Sequence, residues 1–435
     1  MSAIGRTFLL SCGGTGGHLS PGIALAEGLV VRGHRAVLLI SHKKVDTRLA
    51  VKYPGLHFVP IPGTPFGLHP GVLGRFLVSQ SRGFAEGRRL VAAERPAAIV
   101  GFGGFTTASI ILAGALRGVP VALHEANRVP GKSVRHLARF ARRVYLPPGI
   151  SLPGRDDNKL RAAGLPVRSE IVRRPRDEAV RSLGLDPAHK VLVVFGGSQG
   201  ATPLNQWARE AAVPLAALGI QLACVTGMGK GEAQFTEFAG PSGARLRSAT
   251  IPFCDDVSSL LSSADLVVAR AGAGSLAEFA RIGVPAILIP FPQAADDHQR
   301  ANAAYFAAQG GGLVLPQERI AELTALASGL LADPVRIAGF RAGLARLDEV
   351  PSLTFILDDL ERNIATPAEP PVSTAAQRIS RPASTPAQKA HRSPLTAAQT
   401  APRPTSVLPE TCRAGPKPTS QSMIDDTVLP SNPKT

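Results

Sequence analysis

Cysteine is scarce here. Cys12, Cys224, Cys254 and Cys412 are four in 435 residues, and none shares a metal-binding spacing with another. Reduced, mostly buried thiols are expected, and no metal site. Aromatic residues make up only 5% of the chain. Without a recognisable module, that scarcity argues against a nucleic-acid binder. No apolar run reaches the roughly 18–20 residues of a membrane-spanning helix. The first residues run into a strand without the long apolar stretch and cleavage site of a secretory signal, so a cytoplasmic protein is expected.

What the chain does have is glycine, and positive charge on one side. The net charge is +16. Residues 1–165 carry 22 Lys and Arg against 7 Asp and Glu, whereas residues 166–365 carry 18 against 21. General arginine richness does not explain that asymmetry. A basic first half points to an anionic partner: nucleic acid, an acidic lipid surface or a phosphorylated substrate. Residues 66–84 are apolar with interspersed arginines, and Arg135, Arg139, Arg142 and Arg143 follow. Together they read either as an apolar patch with a basic rim for an anionic bilayer, or as two ordinary helices on a sheet.

Two glycine-rich turns stand at matching places in the two halves. Gly13-Gly14-Thr15-Gly16-Gly17-His18 follows the apolar run Phe8-Leu9-Leu10, and Gly196-Gly197-Ser198-Gln199-Gly200 follows Val191–Phe195. Each reads as strand, tight turn, helix, a geometry that aims backbone N–H groups at an anion. Strands are expected at 6–11, 36–41, 97–100 and 120–124, then at 190–195, 221–226, 265–269 and 285–290. Helices are expected at 20–33, 275–282 and 352–364. The β-α-β alternation implies α/β architecture with parallel sheets, whose ligands lie beyond the strands' carboxyl ends. Four segments are expected: a Rossmann-like domain over 1–164, a second over 165–350, a terminal helix over 351–364, and a disordered Pro/Ser/Thr-rich tail over 365–435.

Several residues at the expected sheet edge could carry chemistry. His18 is a proton acceptor at physiological pH or a brace for the helix start. His124-Glu125 is a catalytic pair or a brace, and Asn127 suits a sugar hydroxyl or an amide. Arg168, near the expected hinge, clamps a diphosphate or makes a surface ion pair. Ser275 looks like a helix N-cap, with Glu278 at capping-box spacing; Glu278 equally suits the two hydroxyls of a ribose. The polar loop Asp296-Asp297-His298-Gln299 through Asn302 reads sugar hydroxyls or, less readily, binds metal. Gly196–Gly200 also fits the Gly-x-Ser-x-Gly elbow of serine hydrolases, although only His298 and His391 follow it. A nicotinamide-dependent oxidoreductase is a further alternative, without a convincing acid about 20 residues beyond the first glycines.

Taken together with Gly101-Phe102-Gly103-Gly104, Pro166-Val167-Arg168 and Arg270-x-Gly272-Ala273, these motifs resemble the MurG family of N-acetylglucosaminyltransferases over about residues 5–365. Leu165 stands where that family usually has Asn. The resemblance implies a GT-B fold, two Rossmann-like domains facing across a cleft, and inverting transfer of GlcNAc from UDP-GlcNAc to lipid I, the undecaprenyl-pyrophosphoryl-MurNAc-pentapeptide. A diacylglycerol glycosyltransferase of the same fold is the nearest alternative. By the resemblance His18 is the base. Thr15, Gly16, Gly17 and Asn127 line the donor–acceptor cleft. Ser198 and Arg168 meet the diphosphate, and Glu278, in one turn with Ser275, holds the ribose. The backbone near Cys254 takes the uracil, and Gln299, in the loop leading to Asn302, reads GlcNAc hydroxyls. No cofactor, metal or nucleic acid is implied. The expected partners are UDP-GlcNAc, lipid I and an anionic membrane surface, at the cytoplasmic face of the inner membrane.

Overall fold

A computed structural model describes residues 5–14, 16–67, 69–197, 199–349 and 352–365. Among these, fourteen strands form two seven-stranded sheets. The first comprises β1 (Thr7–Ser11), β2 (Arg35–Ile40), β3 (His57–Pro60), β4 (Ala98–Gly101), β5 (Val121–His124), β6 (Arg143–Leu146) and β7 (Leu160–Ala162). The second comprises β8 (Lys190–Phe195), β9 (Ile220–Val225), β10 (Gln234–Ala239), β11 (Arg245–Ile251), β12 (Leu266–Ala269), β13 (Ala286–Leu288) and β14 (Gly312–Val314). The order in the first is β3-β2-β1-β4-β5-β6-β7, and in the second β10-β11-β9-β8-β12-β13-β14. All pairings are parallel except β10 with β11. In each sheet the order turns back beside the first strand, which places a crevice at the carboxyl ends of β1 and β8. The α/β fold with two Rossmann-like halves is therefore the one expected.

The strands read as unbroken apolar runs because both faces of each sheet are covered. Phe8 and Leu10 of β1 point into one core and Leu9 into the opposite one. Val191 and Val193 of β8 likewise part from Leu192 and Val194.

The last helix, Ser352–Asp359, continues as a π turn through Ile364 and packs on the first sheet rather than the second. Ile356, Leu357, Leu360 and Ile364 are buried there among Phe8, Leu10, Leu25 and Leu29. A fully buried aliphatic side chain contributes about 1.5–3 kcal/mol, so this contact is worth several. Gly28 permits the approach, since a Cβ there would lie 2.6 Å from Leu357 Cδ1. Buried Asp359 pins the helix, accepting from Arg143 Nε at 2.9 Å and from Tyr145 Oη at 2.9 Å. Arg143, read from sequence as part of a basic rim, is thus half-buried and neutralised. The expected tail over 366–435 lies outside the described residues.

Candidate active site

The first glycine turn is held from below. Asp46 is buried, and its Oδ2 accepts from Gly14 N and Ser41 N, both at 3.1 Å, and from Ser41 Oγ at 2.6 Å. Lys43 Nζ donates to Gly14 O at 2.7 Å. These contacts fix the turn where the Gly16–Val31 helix begins. The His18 ring lies against Gly103 and Gly104, the turn after β4. Both have positive φ, +95° and +83°, and a Cβ on either would stand 3.3 Å from a ring nitrogen. At Gly104 that Cβ would also come within 2.6 Å of Gly13 O, so only glycine lets the two turns meet beneath the ring. Burial lowers the His18 pKa to about 4; Asp46 opposes that, and His298 and Lys43 add to it. The imidazole is therefore neutral at physiological pH.

Between the sheets lies a cleft of about 390 Å³. Gly17, His18 and Asn127 line it from the first lobe, and Cys254, Ser275 and Glu278 from the second. Arg168 enters it from the segment that crosses between them. Arg168 is buried and donates from Nη2 to Glu278 Oε1 at 2.9 Å and from Nη1 to Tyr53 Oη at 3.0 Å. Glu170 stands 2.8 Å from the same Nη1 and accepts from Tyr53 Oη at 2.7 Å and Lys52 Nζ at 2.8 Å. Arg48 pairs with Asp255 at 2.8 Å. The Lys44–Lys52 helix and Tyr53 of the first lobe are thereby joined to the crossing segment and the second lobe. On the other side of the site, Asn302 Oδ1 accepts from Arg128 N at 2.9 Å, and its Nδ2 donates to Asn127 Oδ1 and Ala271 O, each at 3.1 Å.

Within the Arg168–Glu278 pair, two polar atoms have no partner among the described residues. Arg168 Nε is buried without an acceptor. Glu278 uses only Oε1, leaving Oε2 without a donor. A guanidinium N–H and a carboxylate oxygen thus stand side by side in one cleft, one suited to an anion and the other to a hydroxyl.

Comparison with known proteins accords with this geometry. The glycosyltransferase family 28 N-terminal domain model matches residues 8–146, and the glycosyltransferase family 28 C-terminal domain model matches residues 191–333. The chain is 55% identical over 360 residues to the UDP-N-acetylglucosamine--N-acetylmuramyl-(pentapeptide) pyrophosphoryl-undecaprenol N-acetylglucosamine transferase of Opitutus terrae, covering 83% of this chain and 96% of that one. It is 34% identical to the protein of the same name from Desulforudis audaxviator, covering 81% and 97%. The chain belongs to this transferase family, the MurG family within glycosyltransferase family 28. The crystal structure of Acinetobacter baumannii MurG superposes with a TM-score of 0.60 at 23% identity, covering 82% of this chain and 99% of that one. The glycosyltransferase of kitacinnamycin superposes with a TM-score of 0.58 at 19% identity, covering 83% and 100%, a likeness of fold.

Within this family 28 chain, seven of the residues singled out from sequence line one cleft: Gly17, His18, Asn127, Arg168, Cys254, Ser275 and Glu278. Thr15 and Ser198 lie outside the described residues. Gly16 opens the helix behind the turn. Gln299 has its Oε1 on Ala271 N at 3.2 Å and Phe291 N at 3.0 Å, bracing two loops of the second lobe. Cys254 Sγ donates to Asp256 O at 3.2 Å.

Ser275 is not an N-cap. The Ala273–Ile282 helix begins after Gly272 with no side-chain cap, and Ser275 is its third residue. The capping-box role of Glu278 falls with it, and its carboxylate goes to Arg168. His124-Glu125 is a brace. His124 Nε2 bonds Gly164 O at 3.2 Å, while Glu125 accepts from Asn127 N, Asn127 Nδ2 and Gly131 N at 2.8, 3.1 and 2.7 Å. Sequence reasoning missed Lys43, Asp46, Tyr53 and Glu170. No local motif marks them: Lys43 and Asp46 reach the first glycine turn from the loop and helix after β2, and Tyr53 and Glu170 meet only where the first lobe packs on the crossing segment.

Proposed function

We infer that this chain transfers GlcNAc from UDP-GlcNAc to the C4 hydroxyl of MurNAc in lipid I, with inversion, giving lipid II for peptidoglycan synthesis. The observation that carries it is the 55% identity over 96% of a chain bearing that transferase's name. The cleft supports it: a neutral imidazole from one lobe faces an arginine–glutamate pair from the other side.

In this reading the acceptor C4 oxygen attacks the anomeric carbon, the bond from that carbon to the diphosphate oxygen breaks, and the hydroxyl proton passes to the His18 imidazole. UDP leaves with its electron pair. Its negative charge is met by Arg168, whose Nε–H is free for an oxygen, and by backbone N–H groups of the second glycine turn, where Ser198 belongs. Glu278 Oε2 accepts from the ribose, the chain near Cys254 takes the uracil, and Ser275 borders the same wall. Gln299 orders the loop leading to Asn302 against which GlcNAc rests. Asn127, with Thr15, Gly16 and Gly17, lines the path of the acceptor. The diphosphate raises the proton affinity of His18 when bound, because it brings negative charge close to a poorly solvated ring.

The acceptor is a lipid, and the Pro70–Glu94 helix supports docking on an anionic membrane, peripherally and at the cytoplasmic face of the inner membrane. Phe66, Leu77 and Val78 are 61%, 56% and 52% exposed. Arg75 and Arg82 stand exposed on the same helix. No single helix among the described residues is long and apolar enough to cross a membrane.

The test is transfer of labelled GlcNAc from UDP-GlcNAc to purified lipid I, with diacylglycerol as control acceptor. Product on lipid I alone is expected. Product on diacylglycerol alone would reassign the acceptor.

A further inference from the structure

A second cavity, of about 450 Å³, opens along the crossing segment at Gly164–Val167 and shares only Ala126 and Ala273 with the catalytic cleft. Its walls come from both lobes and are largely apolar: Leu165 and Val167 from the crossing, Leu276 and Tyr305 from the second lobe, Leu347 and Leu353 from the last two helices. Volume and lining are those of a small-ligand site.

Three arginines and three acids line it, so the formal charges balance, but only one pair of them is joined. Arg128 is stacked over the Tyr305 ring at 3.9 Å and donates to Pro148 O at 2.6 Å, with no carboxylate partner among the described residues. Arg346 has no acidic partner among them either. Arg281 is neutralised by Asp348, both of whose oxygens lie 2.8 Å from its Nε. The wall's other acids are Glu125, whose oxygens already accept three N–H groups, and the exposed Glu349. Two guanidiniums without an ion-pair partner among the described residues therefore border an apolar chamber, while the carboxylates of Glu125 and Glu349 stand elsewhere on its wall, the first of them held by three N–H donors.

We propose that this chamber binds an amphipathic organic anion, a compact apolar body bearing one sulfonate, carboxylate or phosphate, with the anionic group on Arg128 and Arg346. Arg128 also ties the chamber to the cleft. Its backbone N–H and the Asn127 side chain are held by the same Asn302 amide. Because the ligand's contacts come from both lobes, its affinity depends on their separation, and so does that of a nucleotide in the cleft. The two are coupled through closure. The coupling rests on the transferase reading; the binding does not.

The test uses 8-anilinonaphthalene-1-sulfonate and the full chain. Saturable fluorescence with one equivalent bound is expected. Arg128→Gln and Arg346→Gln should each weaken it about tenfold, the loss of one charge-assisted contact. Ala277→Phe, which narrows the chamber, should abolish it, with circular dichroism confirming that each variant is folded. Saturating UDP should shift the probe's affinity without displacing it. Absence of saturable binding, wild-type affinity in both arginine variants, or competitive displacement by UDP would each overturn the proposal. If the probe binds as expected while calorimetry detects no UDP binding, the chamber stands and the transferase reading fails.

Discussion

Arg168 and Glu278 form a buried ion pair of 2.9 Å, and in the proposed function each also contacts the nucleotide. In the ligand-free cleft the two charges satisfy one another. Glu278→Gln leaves the guanidinium buried with Glu170 as its one acidic partner among the described residues. Losing one partner of such a pair costs about 3–5 kcal/mol. Urea unfolding of Glu278→Gln should show a loss in that range, together with a raised KM for UDP-GlcNAc. Unchanged stability would mean that water has access to the pair.

Tyr53→Phe tests how the arginine is held. The phenol donates to Glu170 and accepts from Arg168. Its removal should cost about 1–2 kcal/mol of stability. As Tyr53 positions Arg168, KM for UDP-GlcNAc should rise several-fold with kcat nearly constant. A drop confined to kcat would place the tyrosine in the chemistry instead.

His18→Ala should lower turnover about 10²–10⁴-fold. The pH profile adds a sharper test. Because burial holds the imidazole's pKa at about 4, the base is unprotonated in the free enzyme across the neutral range. The acid limb of kcat/KM belonging to His18 should therefore fall near pH 4 rather than near 6.5. In kcat it should lie higher, since the bound diphosphate favours the imidazolium. A limb at 6.5 in both, lost in His18→Ala, would show an ordinary solvated histidine.

His124 predicts a stability trend of its own. Burial lowers its pKa to about 4, the Gly164 carbonyl opposing. As pH falls below about 6.5 the unfolded chain takes up a proton that the folded chain refuses, so stability drops until pH reaches about 4. Each unit is worth about 1.4 kcal/mol, giving a loss of the order of 3 kcal/mol. Urea midpoints between pH 7 and 4 should decline more steeply in the wild type than in His124→Asn.

Leu77→Glu places a carboxylate in the exposed apolar patch. Co-sedimentation with phosphatidylglycerol vesicles should fall markedly and salt should weaken what remains, while transfer to a short-chain soluble acceptor stays unchanged. Equal sedimentation would remove this helix from the membrane contact.

Much of this fold was legible because parallel strands covered on both faces leave continuous apolar runs. Phe8–Leu10, Val191–Val194 and Leu266–Ala269 stood out for that reason. The β10–β11 hairpin did not, since β10 is almost wholly exposed and carries no such run. The glycine turns announced themselves through composition and led to His18, while Arg168 stood out by its place at the expected hinge. Tyr53 and Glu170 were invisible because their partnership spans 117 residues and exists only once the lobes meet. Ser275 misled for the opposite reason. Its spacing to Glu278 imitates a local cap, and a distant arginine claims the carboxylate.

The seating of Ile356, Leu357, Leu360 and Ile364 on the first sheet has a consequence for synthesis in the cell. The sheet's strands leave the ribosome by residue 162, but the helix that roofs one of its faces follows some 190 residues later. At about 5–20 residues per second, Phe8, Leu10 and Leu25 wait roughly ten to forty seconds for their cover. That face of the nascent first half stays without this helix throughout the interval, and a ribosome stalled within the second half would leave it so.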